Sequence, residues 1–255
     1  VEGTLRLRPT PRWQLSLTPG WSESKTALPD ATDFRLRETS GTASIEFLGA
    51  GRLVPGIAVS ESESRYSGIE NATRYNQRSV QGTLSYRLTQ VSAFSLAAGQ
   101  TRRSTHLIDP STDPTAVANE GTSTAFTGSL SFSRQLTAKT GVNVNVFRNF
   151  QQYDAGVNRS IGTGFNAGVN WAATAKVSVG LDTSFTWSTI ENVPFGDTTT
   201  ERKDLVRAYS LSTNYLATRS VSITTRLTRT IRRSEIWTDQ FNGTSASVQL
   251  SIRFD

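Results

Sequence analysis

Apolar and polar residues alternate along most of this sequence. Near the C-terminal end Thr244, Ala246, Val248, Leu250, Ile252 and Phe254 interleave with Gly243, Ser245, Ser247, Gln249, Ser251 and Arg253. A period of two predicts a strand with one apolar and one polar face. The same split sets Val177, Val179, Leu181, Phe185 and Trp187 against Ser178, Gly180, Asp182, Ser184 and Thr186. It also sets Ile161, Phe165, Ala167, Val169 and Trp171 against Gly162, Gly164, Asn166, Gly168 and Asn170. Shorter or weaker versions run through 142–146, 126–132, 15–21, 43–47, 53–59, 80–86, 94–98, 209–215 and 221–227. The segments amount to about thirteen strands, each long enough for the ~9–11 residues that a tilted membrane crossing requires.

The chemistry of the polar face decides what kind of sheet this is. In a soluble sandwich an outer face of Lys and Glu covers a Val/Ile/Leu core, whereas here the polar face is Ser, Thr, Asn, Gly and Gln with occasional Arg. Such a face suits a hydrated lumen, and the apolar face then meets lipid. Connection lengths point the same way. Short turns at 10–12, 49–52, 89–92, 137–139, 173–176 and 217–220 include the similar sequences Leu-Thr-Ala-Lys, Ala-Thr-Ala-Lys and Ala-Thr-Arg-Ser. They recur as a hairpin repeat of about forty residues. Longer polar connections at 26–34, 67–75, 106–121, 155–158, 192–201 and 238–242 alternate with them, as periplasmic turns and extracellular loops do in outer-membrane barrels.

Aromatic residues mark the two rims. Trp13, Phe47, Tyr86, Phe94, Trp171, Tyr215 and Phe254 lie within a few residues of a short turn or of the C-terminus. They are expected to form one interfacial girdle, with Trp21, Phe126, Phe185 and Trp187 towards the opposite rim. The reading is therefore an all-β protein, a transmembrane antiparallel up-and-down β-barrel occupying residues 1–255 as a single domain. Bacterial single-chain barrels have an even strand number. The odd count predicts that at least one N-terminal strand is lacking from a full barrel of about 14–18 strands, wide enough for an aqueous channel.

Composition removes most enzyme classes. With no Cys, the chain has no disulfide, thiolate nucleophile or Cys-ligated metal. Its single histidine, His106, stands near Asp109 and Asp113 without a nucleophile partner, so no catalytic triad is expected and neither cofactor nor metal is called for. Only 36% of residues are hydrophobic and 19% charged, while Ser and Thr supply about a quarter, well above ordinary usage. The net charge is +6 and the pI about 10.0, but the basic residues are scattered rather than clustered, which speaks against nucleic acid as a partner. No stretch approaches twenty apolar residues, so no transmembrane helix is predicted.

Two motifs carry a resemblance. The run Val248-Gln249-Leu250-Ser251-Ile252-Arg253-Phe254, followed by Asp255, resembles the C-terminal assembly signal of bacterial outer-membrane barrels. Turns such as Thr10-Pro11-Arg12-Trp13 and Thr-Ala-Lys, followed by strands such as Val177-Ser178-Val179-Gly180-Leu181, are similar to those of the outer-membrane barrels of exopolysaccharide-biosynthesis, exosortase-associated systems. That resemblance implies passage or retention of an extracellular polysaccharide at the outer membrane, with periplasmic or inner-membrane export components as partners.

Alternation places Arg6, Arg8, Arg87, Arg226, Arg232 and Arg253 on the lumen side, against the acidic Glu46 and Asp182. A basic lumen favours anionic solutes, since rings of Arg set anion preference in pores. Pairing of these arginines with acids on neighbouring strands is the equal alternative. Arg148, Arg207 and Arg229 fall on the lipid side, where mid-membrane placement would cost about 2–4 kcal/mol, so they are expected beyond the hydrocarbon band. Glu61 and Glu63, like Asp109, Asp113 and Glu120, offer carboxylates for a divalent cation or for a bridge to lipopolysaccharide, although solvated loop charge explains them more simply. The functional expectation is a non-enzymatic outer-membrane conduit for an extracellular polysaccharide. A general anion-preferring porin, and a plugged structural or adhesive barrel whose loops bind an extracellular partner, are the alternatives; a soluble sandwich would need no detergent.

Overall fold

A computed structural model describes residues 3–26, 34–49, 51–67, 73–107, 121–153, 158–195, 198–235 and 240–252. The described residues form thirteen strands: β1 (Leu5–Thr10), β2 (Trp13–Thr26), β3 (Phe34–Phe47), β4 (Leu53–Ser67), β5 (Thr73–Thr89), β6 (Ser92–Leu107), β7 (Gly121–Gln135), β8 (Thr140–Tyr153), β9 (Asn158–Ala172), β10 (Val177–Phe195), β11 (Thr198–Leu216), β12 (Val221–Ser234) and β13 (Phe241–Ile252). They make one sheet in sequence order, every neighbouring pair antiparallel. Each strand therefore pairs only with its chain neighbours. Among the described residues β1 and β13 each pair on one side only. As odd-numbered strands of an up-and-down sheet they run the same way.

Register converts the alternation in sequence into two continuous faces. Val142, Val169, Leu181, Leu211, Leu227 and Ala246 are direct partners across β8 to β13. One residue further along β10, Gly168, Asp182, Ser210, Thr228 and Ser245 form the adjacent polar row. A slip of one position anywhere would exchange the faces. Among the described residues only Tyr75 and Ile190 are buried hydrophobics, whereas Leu181 is 58% exposed and Phe126 63%. No aqueous sandwich leaves its apolar face this open. The sheet turns that face to a solvent in which exposed hydrocarbon costs nothing, which is lipid.

Curvature is visible in contacts that skip a strand. On the polar face the Gln81 side-chain amide donates to Thr127 at 3.2 Å across β6, and Ser188 donates to Gln151 at 2.9 Å across β9. Side chains reach over an intervening strand only on a concave face, and only where that strand carries little bulk. Gly99 lies between Gln81 and Thr127 in the same row, and Gly162 lies opposite Ser188, where an added Cβ would meet the Gln151 side chain. Small residues on this face are therefore a condition of bending it. At Gly164 a Cβ would run into the Phe185 carbonyl oxygen and stand 3.0 Å from the Phe147 ring. Gly164→Val is expected to destabilise the detergent-folded protein by about 1–3 kcal/mol through overpacking, read as a lower unfolding midpoint in denaturant.

The connections repeat the expected alternation with one correction. Short turns fall where the hairpin repeat puts them, and Gly51 supplies the positive φ of 67° that the turn after β3 requires. The polar stretch at 192–201 is not a long connection. β10 runs to Phe195, β11 starts at Thr198, and Phe195 pairs with Thr198 and Pro194 with Thr199 beyond an irregularity between Ile190 and Val193. A polar composition suggests a loop, but Thr-rich segments favour strands, and an existing ladder extends cheaply once its register is set.

Candidate functional site

The polar face is the candidate site, and its two ends differ. At the short-turn end Arg6, Arg8, Arg87 and Arg226 are exposed. Arg8 donates to Gln14 at 3.1 Å, and Gln14 donates to Glu46 at 3.0 Å, a chain of hydrogen bonds across β1, β2 and β3. Arg6 faces Ser16, and Arg226 stands in a row with Ser212 and Ser247. Arg87 lines a cavity of about 400 Å³ together with Ser133, Asn143 and Asn170. Asp182 lies between Gly168 and Ser210. Among the described residues no carboxylate is within ion-pair range of Arg6, Arg87 or Arg226. Arg253 lies outside the described residues.

At the long-connection end the same face is covered. Thr101, Arg103, Thr105, Thr127, Ser160, Ser188, Arg202, Asp204 and Ser234 are all buried, an unusual set for a fold with so few buried hydrophobics. Two polar knots hold it together. Both Nε (3.2 Å) and a terminal nitrogen (2.7 Å) of Arg232 donate to Asp204 Oδ2, and Arg202 approaches the same oxygen at 3.3 Å. On the other side of the face the Arg103 guanidinium stacks 4.3 Å from the centroid of the Tyr75 ring and donates to the Gln151 carbonyl at 3.0 Å. Arg232, placed on the lumen side with pairing to an acid of a neighbouring strand as the equal alternative, makes that pair with Asp204. Arg103, Arg202, Asp204 and Glu38 share the polar face and were missed by the sequence reading. Carrying the alternation past the last apolar residue of each strand would have found them.

The outward face carries the aromatics. Trp13 and Phe47 are partners with ring centroids 5.0 Å apart at the short-turn rim, where Tyr86 pairs with Phe94 and Phe94 contacts Phe132 at 4.7 Å. Trp171 and Tyr215 end β9 and β11 on the same face, while Phe254 lies outside the described residues. Towards the other rim Phe165 stacks on Phe185 at 4.8 Å, with Trp187 and Tyr209 beside them. From Trp13 to Trp21 the chain climbs about 26 Å along the strand at ~3.3 Å per residue, or about 20 Å of height at a tilt of ~40°. Arg148 and Arg229 stand as far above the first residues of β8 and β12 as Trp21 does above Trp13. Arg207 lies 5.8 Å from the Phe185 ring centroid. All three outward arginines therefore sit at the upper aromatic rim rather than mid-band.

The carboxylates offered as cation ligands have other partners. Glu63 is held by Arg65 and Arg74 and Glu61 by Arg78, and no metal-binding cluster occurs among the described residues. Asp109, Asp113 and Glu120 lie outside them.

Solved structures of similar fold include transporters and a receptor of the outer membrane. The chain is similar to the copper transporter OprC, over 100% of this chain and 51% of that one, with 11% identity and a TM-score of 0.55. It is also similar to the ferripyoverdine receptor of the outer membrane of Pseudomonas aeruginosa, over 95% of this chain and 41% of that one, with 12% identity and a TM-score of 0.54. The FrpB iron transporter from Neisseria meningitidis matches 99% of this chain over 56% of its own length, with 9% identity and a TM-score of 0.53. This chain has the fold of an outer-membrane β-barrel. It spans about half the length of each of these three proteins. No family model matches the sequence, and no curated protein is similar to it. At such identities the barrel likeness concerns backbone architecture, and what the wall handles must come from its own side chains.

Proposed function

We propose that this chain forms the wall of an outer-membrane conduit for an anionic extracellular polysaccharide and performs no covalent chemistry. The observation that carries the reading is the unbalanced charge of the polar face at the short-turn end. Arg6, Arg87 and Arg226 project from a wall of Ser, Thr, Asn and Gly without a carboxylate partner among the described residues. Short turns face the periplasm in barrels of this kind, so this basic vestibule is the entrance for an exported solute. A field of one sign in a low-dielectric channel concentrates the opposite ion. The hydroxyl and amide rows between the arginines offer donors and acceptors to sugar hydroxyls without binding any one of them tightly. The resemblance of the turns to exopolysaccharide-system barrels supports a glycan over a small anion. Periplasmic export components would deliver it.

A plugged barrel is the second reading, favoured by the covered polar face around Asp204 and Arg103. Planar-bilayer recording of the detergent-extracted protein separates the two. The expected result is stable openings with anion preference, from the reversal potential under a salt gradient, and block by acidic but not neutral oligosaccharides. Arg226→Glu is expected to lower the anion-to-cation permeability ratio several-fold. An inserted but silent protein would overturn the open conduit and leave the plugged barrel.

A further inference from the structure

The outward face changes character abruptly above its apolar band. On β4 and β5 the last apolar partners are Val59 and Val80, and the next outward pair is Glu61 with Arg78, which in turn is registered opposite Arg102. Two outward positions further up, Arg65 pairs with Arg74 and with Arg37. Each such step is about 7 Å along the strand, so charge begins within one step of hydrocarbon, at the depth of lipid headgroups. These side chains point away from the lumen. On β6 Thr101, Arg103 and Thr105 are buried on the polar face while the alternate residues Arg102 and His106 are exposed.

The cations outnumber the anions that organise them. Glu63 is shared by Arg65 and Arg74, Glu23 is shared by Arg35 at 3.2 Å and Arg37 at 3.5 Å, and Glu61 holds Arg78 at 2.9 Å. Five arginines thus rest on three carboxylates, and Arg102 adds another positive charge. The pairs do not bury the guanidinium groups, since the Arg65 and Arg78 side chains remain 55% and 73% exposed. Carboxylates placed between arginines fix the direction of the forks, while leaving their outer N–H groups open. Guanidinium forks match phosphate oxygens in a two-pronged geometry that ammonium groups lack.

We propose that this collar on β2 to β6 binds the phosphorylated glycolipid of the outer leaflet, lipopolysaccharide, through its phosphate groups, with the acyl chains lying on the apolar rows beneath. The inference rests on the outer-membrane reading of the fold and is independent of what passes through the lumen. Arg148, Arg207 and Arg229 continue a sparser version of the collar along β8, β11 and β12.

The test compares two triple variants of equal charge change, refolded in detergent and titrated with fluorescent lipopolysaccharide. Arg65→Gln/Arg78→Gln/Arg102→Gln removes outward cations, and Arg6→Gln/Arg87→Gln/Arg226→Gln removes polar-face cations. The outward triple is expected to bind at least about tenfold more weakly, the polar-face triple as tightly as the parent. The parent should bind dephosphorylated glycolipid as weakly as the outward triple binds the intact one. Equal affinity of parent and outward triple would overturn the site, and so would equal losses in both triples or undiminished binding of the dephosphorylated lipid. Retarded mobility before heating reports folding of each variant. Co-flotation with phosphatidylcholine vesicles tests membrane insertion separately: a parent that floats yet ignores lipopolysaccharide refutes only the collar, whereas one that never floats refutes the membrane reading as well.

Discussion

Asp204→Ala is expected to destabilise the covered end of the barrel by about 3–5 kcal/mol, because it removes the carboxylate that two largely buried arginines share. The Asp204 side chain has no exposure, and those of Arg202 and Arg232 have 7% and 15%. One carboxylate oxygen accepts both donors of Arg232 and lies beside Arg202. An exposed pair would contribute about 0–1 kcal/mol, but here the carboxylate itself is wholly buried. Asp204→Asn keeps an acceptor oxygen without the charge and is expected to lose less. The measurement is the denaturant midpoint of the detergent-folded protein, with hydrogen exchange at the amides of β11 and β12 to show where the loss falls. An alanine variant as stable as the parent would mean that the cluster is wetter than its burial indicates. The same variant reads out function: if the cluster closes the lumen, conductance should rise as stability falls.

Leu181→Arg should impair insertion, at a cost of about 2–4 kcal/mol. Leu181 is midway between Val177 at the short-turn rim and Phe185 at the upper aromatics, and its row partners Val169, Leu211 and Leu227 are equally apolar. An arginine there has neither rim nor lumen within easy reach. Ser184→Arg is the informative control. Ser184 lies on the polar face between Asn166 and Ala208, so a guanidinium there stays hydrated, stability should hold, and anion preference should increase. Folding into lipid vesicles, followed by retarded gel mobility before heating, measures the first effect. If the two variants folded equally well, the assignment of faces would be wrong.

The contrast between these neighbouring positions shows how much was legible beforehand. The period of two is local, so the face of Leu181, Trp171 or Arg226 follows from the residues around it. The turns at 137–139 and 173–176 and the aromatics beside them announced the short rim for the same reason. The polar stretch at 192–201 misled because composition alone cannot distinguish a loop from a strand that has outrun the membrane. Arg103 and Asp204 escaped because their strands lose apolar partners near the rim, and the pattern that reports orientation fades with them.

By itself, then, the sequence determined an up-and-down barrel, with a face for lipid and a face for polar solutes. Both properties are written in short-range periodicity that any strand pairing must respect. Which charges meet was decided by the tertiary structure alone. Arg232 reaches Asp204 because β11 and β12 pair with Val206 opposite Arg232, and Gln151 reaches Ser188 because the sheet bends over Gly162. Register and curvature are sums over whole ladders of backbone hydrogen bonds and side-chain volumes. No single segment carries them, so the covered end of the lumen and the outward arginine collar became visible only once the strands were laid side by side.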